Sequence, residues 1–252
     1  MIEIRHLCKS FGDKEVLKDI STVFENGKTN LIIGRSGSGK TVLIRNLVGL
    51  LTPTSGEILY DGRDFGSMTK KEKIMLRREM GMLFQSAALF DSMTVLQNVM
   101  FPLDMFSDKT ARDRVRRART CLDRVNLVDA ENKYPGEISG GMQKRVAIAR
   151  AIALNPKYLF CDEPLVIDDL LHGITQEFNI TTIINTHDMN SVMGIGENII
   201  FIHEGRKEWQ GHSSEIMESP NENLTDFIFA SDLLKNMRKA VLEKRNIGNT
   251  AI

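Results

Sequence analysis

With 252 residues, the chain is long enough to bury a full hydrophobic core as one large α/β domain. Its 33 basic and 33 acidic side chains cancel, which leaves no overall positive field, so nucleic acid is not an expected partner. Three scattered cysteines favour a reducing compartment over a disulfide framework. No apolar run approaches the roughly 20 residues that span a bilayer, so direct membrane insertion is not expected.

Apolar and β-branched runs predict strands in the first third of the chain. They lie at 2–4, 16–24, 29–33, 57–60 and 80–84. The run at 29–33 ends in a glycine-rich loop, and apolar residues at helical spacing after that loop predict a helix over 41–50.

The glycine-rich loop is a phosphate-binding P-loop. Its residues are Gly34, Arg35, Ser36, Gly37, Ser38, Gly39, Lys40 and Thr41. The glycines let backbone N–H groups approach phosphates closely, Lys40 reaches the β- and γ-phosphates, and the Thr41 hydroxyl ligates Mg²⁺. Because a strand precedes the loop and a helix follows it, the sequence predicts a site for a nucleoside triphosphate with Mg²⁺.

From residue 86 to about residue 153 the sequence is mostly helical in pattern, and this change predicts the domain organisation. A single domain over 1–222 has its core at 1–85 and 154–222, with a helical subdomain at about 86–153. Within the resumed core, 158–161 and 181–185 are apolar runs suited to the centre of a parallel sheet, and 198–203 with 206–210 predicts a closing hairpin.

Two surfaces remain open to more than one interpretation. Five arginines surround a helical pattern at 111–125, and a solvated face is favoured there over a partner surface. A C-terminal helical extension at 223–252 has an apolar stripe that docks either on its own domain or on a partner subunit. The residues of that stripe are Phe227, Ile228, Leu233, Leu234, Met237, Val241 and Leu242.

Two further features predict chemistry near the nucleotide. Asp162 and Glu163 end a buried strand, and ligands of parallel sheets bind at the carboxyl ends of strands. Asp162 is therefore expected to hold Mg²⁺, and Glu163 to polarise the attacking water. Ser139-Gly140-Gly141 is expected to cap a helix and to leave its N–H groups uncovered, which makes a second anion site without a lysine; a flexible loop is the less favoured interpretation.

These motifs, in this order along residues 2 to about 218, resemble those of ATP-binding cassette (ABC) ATPases. The resemblance implies a P-loop NTPase fold with a mixed sheet core, an N-terminal antiparallel β subdomain and a helical subdomain. It implies ATP and Mg²⁺ as cofactors, ATP hydrolysis, and a homodimer in which Ser139-Gly140-Gly141 of one subunit caps the nucleotide on the P-loop of the other.

The same resemblance assigns roles to three isolated residues. Phe11 would stack on adenine, although a buried strand-end aromatic is an equally good interpretation. Gln85 would sense Mg²⁺ and the attacking water, and His187 would contact the γ-phosphate. Lys40, Gln85, Glu163 and His187 are thus the expected catalytic groups, and Thr41, Gln85 and Asp162 the expected metal site.

A narrower likeness concerns the cargo. The stretch at 83–90, the triplet Met93-Thr94-Val95 and the Met142 that follows Ser139-Gly140-Gly141, the signature of the family, are similar to the ATPases of Mla-type phospholipid transporters. That likeness implies an integral membrane permease, an MCE-type lipid-binding protein and a place on the cytoplasmic face of the inner membrane. The alternatives are another small-molecule cargo, or a regulatory ATPase with weak turnover.

One segment departs from the family pattern. After Pro164 the family has a D-loop before the next helix, whereas here 165–178 provides fourteen residues, about 21 Å of helix, and leaves nothing for that loop. Either the sequence omits a segment at this point, which is favoured because every other motif is intact, or the chain lacks the loop, which would impair coupling and hydrolysis. Cα spacings of about 3.8 Å at each step between Pro164 and Ile167 would exclude an omission.

Overall fold

Two β-sheets and a group of helices make up the computed structural model, which describes residues 1–84, 86–162, 168–216 and 218–229. Gln85, Glu163, the steps between Pro164 and Ile167 and the extension beyond residue 229 lie outside the described residues. The predictions made for them therefore stay predictions. In the part of the chain that is described, none of the helices is both long and apolar enough to cross a bilayer.

The N-terminal sheet is antiparallel and has four strands. These are β1 (Ile2–Phe11), β2 (Lys14–Phe24), β4 (Ser55–Tyr60) and β5 (Arg63–Asp64), in the order β2-β1-β4-β5. The strand predicted at 2–4 is longer than expected, because β1 pairs with β2 as far as Phe11 and Lys14 through several register shifts. On its buried face, Ile2, Ile4 and Leu7 belong to a hydrophobic cluster that also contains buried residues of the second sheet.

The second sheet has six strands and positions the site. It contains β3 (Thr29–Ile33), β6 (Met80–Leu83), β7 (Tyr158–Asp162), β8 (Thr181–Asn185), β9 (Asn198–His203) and β10 (Arg206–Gly211). The order is β10-β9-β3-β8-β7-β6, and all pairs are parallel except β9 with β10. Every residue of β3 and of β8 is buried, as expected for central strands covered on both faces. The predicted central strands and the closing hairpin are therefore confirmed.

Three helices form the helical subdomain: α3 (Val95–Phe106), α4 (Ala111–Arg124) and α5 (Gly140–Ala151). Each starts at a Ser or Thr whose hydroxyl accepts a backbone N–H of the first turn. Arg117 on α4 donates to the carbonyls of Ile152 and Ala153, just past the end of α5, at 2.8 and 3.0 Å. That arginine stabilises the domain's own helix terminus, whereas Arg112, Arg116 and Arg119 are exposed.

The remaining helices cover the faces of the sheets. They are α1 (Lys40–Leu47), α2 (Lys70–Arg78), α6 (Asp168–Phe178), α7 (Met189–Ile195), α8 (Ser213–Ile216) and α9 (Glu222–Ile228). Helix α1 ends before the predicted residue 50, because Gly49 turns the chain with a φ of 73°. Only five residues, 163–167, separate β7 from α6.

The tip of the β9–β10 hairpin links the two sheets to the P-loop. The Gly205 N–H donates to the carbonyl of Ser38 at 3.1 Å, and the Gly205 carbonyl accepts the N–H of Lys18 on β2 at 2.7 Å. Gly205 has a φ of 83°, and a Cβ there would lie 2.4 Å from the Val16 carbonyl oxygen. Only glycine fits at this junction.

Candidate nucleotide-binding site

The carboxyl ends of three adjacent strands bring the predicted site residues together. Asn185, the last residue of β8, pairs with Ile32 of β3 on one side and with Asp162 of β7 on the other. Because parallel strands end at the same edge of a sheet, the P-loop that follows β3 and the carboxylate that ends β7 lie side by side. The Thr41 hydroxyl donates to Asp162 Oδ1 at 3.4 Å, which joins the two motifs directly.

The P-loop has the conformation of an anion cradle. Gly37 has a φ of 79° and open space where a Cβ would stand, so its backbone is accessible to a ligand. Gly39, with a φ of 109°, is the N-cap of α1 and supplies no side-chain cap. The first N–H groups of α1 are therefore left to a bound anion, toward which the positive end of the helix dipole points.

The side chain of Lys40 lies inside the P-loop. It is buried, and Nζ donates to the carbonyls of Gly34 at 2.8 Å and Arg35 at 3.1 Å. An ammonium group has three donors and no acceptor, so its partners are oxygen acceptors such as carbonyls and phosphates. Lys40 thus has a fixed place inside the loop, and its contact with phosphate stays a prediction.

The polar atoms of this site fit a hydrated Mg²⁺ ion. Mg²⁺ prefers oxygen ligands and is usually bound through one or two protein groups plus substrate phosphates. Thr41 and Asp162 offer a hydroxyl and a carboxylate that are already in contact. No group of three or more His, Cys, Asp or Glu that could hold a metal ion occurs among the described residues. Two buried acceptors, Ser38 Oγ and Asn185 Oδ1, find no hydrogen-bond partner within the described ranges, as expected beside a polar ligand.

Asn185 was not singled out by the sequence analysis. It is fully buried, and its Nδ2 donates to Asp162 Oδ1 at 2.6 Å and to Thr41 Oγ1 at 3.4 Å. The signal that would have found it is a single amide at the carboxyl end of an otherwise β-branched strand.

Phe11 and His187 lie at exposed ends of elements. The Phe11 ring, at the end of β1, is 48 % exposed and lies 5.0 Å from Lys9 Nζ. The interpretation of Phe11 as a buried strand-end aromatic is therefore wrong, while stacking on adenine stays a prediction. His187 is exposed and follows β8 by two residues, at the same edge of the sheet as Asp162. Its contact with a γ-phosphate also stays a prediction.

Ser139-Gly140-Gly141 lies at the surface of the helical subdomain. Ser139 caps α5 by accepting the N–H of Met142 at 3.3 Å, and Gly140 and Gly141 are exposed, with open space around each Cα. The capped helix predicted from the sequence is thus present. Its first turn offers uncovered N–H groups, like the P-loop, but no lysine.

A phosphate cradle at the carboxyl edge of a parallel sheet, with a strand-end carboxylate on the hydroxyl of the loop, defines a P-loop NTPase. A sequence profile of the ABC transporter family matches residues 17–166. The chain belongs to the ABC transporter family, as an ATPase of that family.

Three relatives place it within the family. It is 36% identical over 255 residues to the methionine import ATP-binding protein MetN 2 of Enterococcus faecalis, covering 96% of this chain and 74% of that one. It is 33% identical over 237 residues to MlaF of Haemophilus influenzae, the ATP-binding protein of an intermembrane phospholipid transport system, covering 90% of each. The dimeric ATP-binding cassette MJ0796, bound to ADP and Pi, superposes with a TM-score of 0.76 at 31% identity, over 84% of this chain and 99% of that one. Identities this similar do not single out one cargo.

Proposed function

We propose that the chain is the ATP-hydrolysing subunit of a membrane transporter and works as a homodimer that closes on ATP and reopens after hydrolysis. The observation that carries this proposal is the exposed first turn of α5. Ser139, Gly140 and Gly141 offer an anion site on the surface, apart from the P-loop that already holds a lysine. A second copy of the chain would bring the γ-phosphate on its own P-loop to that turn. The similar cassette bound to ADP and Pi, which is described as dimeric, supports this arrangement.

We propose a catalytic role for each of the expected site residues. Lys40 and the P-loop N–H groups hold the phosphates, and Thr41 and Asp162 orient the cation. Bound Mg²⁺ neutralises the charge on the phosphoryl group that is transferred. Glu163, next to Asp162 in sequence, polarises the attacking water, while Gln85 and His187 contact that water and the γ-phosphate.

The permease is proposed to dock where the helical subdomain meets the core. Phe84 and Phe90, on either side of position 85, are 45% and 40% exposed, and Met105 and Phe106 at the end of α3 are exposed as well. Exposed apolar side chains of this size are typical of protein interfaces. The chain would then lie on the cytoplasmic face of the inner membrane through its permease.

Phospholipid is the proposed cargo, with an MCE-type lipid-binding protein as the third component. The stretch at 83–90 and Met142 support this choice, as does the match to MlaF over 90% of both chains. A methionine-type cargo is the competing choice, because the methionine relative is slightly more identical.

Measuring ATP hydrolysis distinguishes a transport motor from a subunit that only binds nucleotide. The purified chain is expected to hydrolyse ATP, and Glu163→Gln is expected to abolish hydrolysis and to trap a dimer that light scattering detects in ATP. Glu15→Gln, an exposed change on β2, serves as the matched control. Wild-type turnover that stays undetectable even with the permease present would contradict the motor. It would favour the regulatory alternative. The observation that supports that alternative is that only five residues lie between β7 and α6 in the sequence.

The cargo is tested with the assembled complex. The tagged chain would be purified from membranes with its permease, and its ATPase activity measured with phospholipid or with methionine. Co-purification of an MCE protein and stimulation by phospholipid are the expected results. Stimulation by methionine together with a methionine-binding protein in the complex would overturn the lipid assignment and leave the ATPase assignment intact.

A further inference from the structure

Asn185 occupies an unusual position for a buried amide. The other four residues of β8 are Thr181, Thr182, Ile183 and Ile184. All five side chains are buried, and the strand lies between β3 and β7. Burying an amide costs free energy unless its hydrogen bonds are made. The contacts of Asn185 therefore indicate what the residue is used for.

Both described hydrogen bonds of Asn185 go to groups of the cation site. Its Nδ2 donates to Asp162 Oδ1 at 2.6 Å and to Thr41 Oγ1 at 3.4 Å. A short bond to a carboxylate is charge-assisted and roughly twice as strong as a neutral one. It fixes one oxygen of Asp162 and so limits rotation of the carboxylate that faces the nucleotide.

A purely structural asparagine in the same sheet behaves differently. Asn30 of β3 is equally buried, and its Nδ2 donates to the backbone carbonyls of Glu25, Lys28 and Thr182. Asn185, by contrast, bonds to no backbone group among its described contacts, and its Oδ1 has no partner in the described part of the chain. The cost of burying Asn185 is thus offset at the cation site rather than in the scaffold.

We propose that Asn185 is a positioning residue that aligns Asp162 and Thr41 to receive Mg²⁺ together with ATP. The inference rests on the proposed role of these two residues at the cation. Asn185 acts through Asp162 and does not touch the phosphates. Its loss leaves the P-loop intact and weakens the binding of the metal–nucleotide complex relative to the nucleotide alone.

The test measures the binding of a fluorescent ATP analogue with Mg²⁺ and with EDTA, and the binding of Mn²⁺ to the ATP complex by electron paramagnetic resonance. Asn185→Leu keeps the shape of the side chain and removes its amide. It is expected to weaken Mn²⁺ binding about tenfold, the order of a hydrogen bond to a charged group, and to change metal-free affinity by less than about twofold. Asn30→Leu is the matched control and is expected to lower thermal stability without changing the ratio of the two affinities.

The outcomes separate this inference from the proposed function. If the wild-type chain binds no nucleotide, the proposed function fails. If it binds Mg²⁺–ATP more tightly than ATP alone and Asn185→Leu preserves that ratio, the positioning role is overturned. Should Asn185→Leu not fold, the smaller, β-branched Asn185→Val makes the same comparison. In the wild-type chain, the side-chain amide resonances of Asn185 are expected to shift when Mg²⁺ joins the ATP complex; unchanged resonances would also refute the proposal.

Discussion

Arg150 on α5 donates hydrogen bonds to the carbonyls of Ala87 at 2.7 Å and Ala88 at 2.8 Å. Both alanines have positive φ, 58° and 47°, a backbone conformation that costs about 1–2 kcal/mol for a residue with a Cβ. Burial lowers the pKa of the Arg150 guanidinium, which nevertheless stays charged. The arginine therefore ties the helix that starts at the signature to the strained turn that follows position 85.

Replacing Arg150 is expected to loosen that tie. Arg150→Ala should lower the free energy of unfolding by about 2 kcal/mol, because the carbonyls of Ala87 and Ala88 lose a charged donor. It should also reduce stimulation of the ATPase by the permease more than it reduces ATP affinity. Urea unfolding and ATPase assays with and without permease measure both effects. Arg116→Ala, an exposed partner of Asp113, is the control and should change stability by under about 0.5 kcal/mol. Normal stimulation in Arg150→Ala would show that the contact is only structural.

Phe11 offers a test of adenine recognition. Phe11→Ala should weaken ATP binding by about 1–3 kcal/mol, the usual contribution of base stacking, and leave stability nearly unchanged because the ring is 48% exposed. Affinity for inorganic triphosphate, which has no base, should not change. Calorimetric titrations with both ligands make the comparison, with the exposed Phe106→Ala as the control. An equal loss for both ligands would mean that the ring supports the loop instead of the base.

The backbone conformation at position 39 requires glycine. A Cβ at this position would lie 2.7 Å from Leu17 Cδ2, at a φ of 109°. Gly39→Ala should therefore destabilise the fold by about 1–3 kcal/mol and lower ATP affinity, since the start of α1 must shift. Thermal unfolding and nucleotide titration measure the two effects. Gly140→Ala, at a glycine with open space, should cost no stability and serves as the control.

A substitution at Gly141 tests dimerisation independently of folding. An aspartate in the first turn of α5 interacts favourably with the helix dipole, by about 0.3–1 kcal/mol, yet it repels an incoming γ-phosphate. Gly141→Asp should fold normally and bind ATP as a monomer, but should fail to form the ATP-dependent dimer in light scattering. Gly173→Asp, at another exposed helical glycine with open space, should still dimerise. Normal pairing of Gly141→Asp would remove the signature from the interface.

Asp64 predicts a pH dependence of stability. Its carboxylate accepts the N–H groups of Gly66 and Ser67 at 2.9 and 3.1 Å, and these bonds hold the pKa of Asp64 below its usual value. The stabilisation is therefore full above about pH 4, the unfolded value, and is lost as pH falls through the lower folded value. The difference in unfolding free energy between wild type and Asp64→Asn should shrink below about pH 4 in urea titrations. A difference that stays constant from pH 7 to pH 3 would contradict this assignment.

The elements that the sequence predicts best are those in which local pattern and packing agree. Strands β3 and β8 begin and end where their apolar, β-branched runs do, because central parallel strands are buried on both faces. Helix α2 was not predicted, since Leu76 is its only buried residue and its start depends on the capping box of Thr69 and Glu72.

Some residues of the site could likewise be predicted from local sequence, and others could not. The P-loop is contiguous in sequence and could be found from its residues alone. Asn185 and Asp162 are 23 positions apart in sequence, and only the pairing of β8 with β7 brings the amide onto the carboxylate. Arg150 likewise meets Ala87 through the packing of α5 against β6. No local pattern encodes such contacts, because they depend on strand order and register.

The Gly205 turn has a mechanical consequence. One residue, Gly205, holds the P-loop by its N–H and the antiparallel sheet by its carbonyl. A displacement of the phosphate cradle is therefore transmitted to β2 without passing through side chains, whose rotation could absorb it. Amide hydrogens at Lys18 and Gly205 should consequently exchange with solvent as a single cooperative unit, and nucleotide should slow both together. The β9–β10 hairpin therefore acts as a rigid link through which phosphate binding at the P-loop affects the N-terminal sheet.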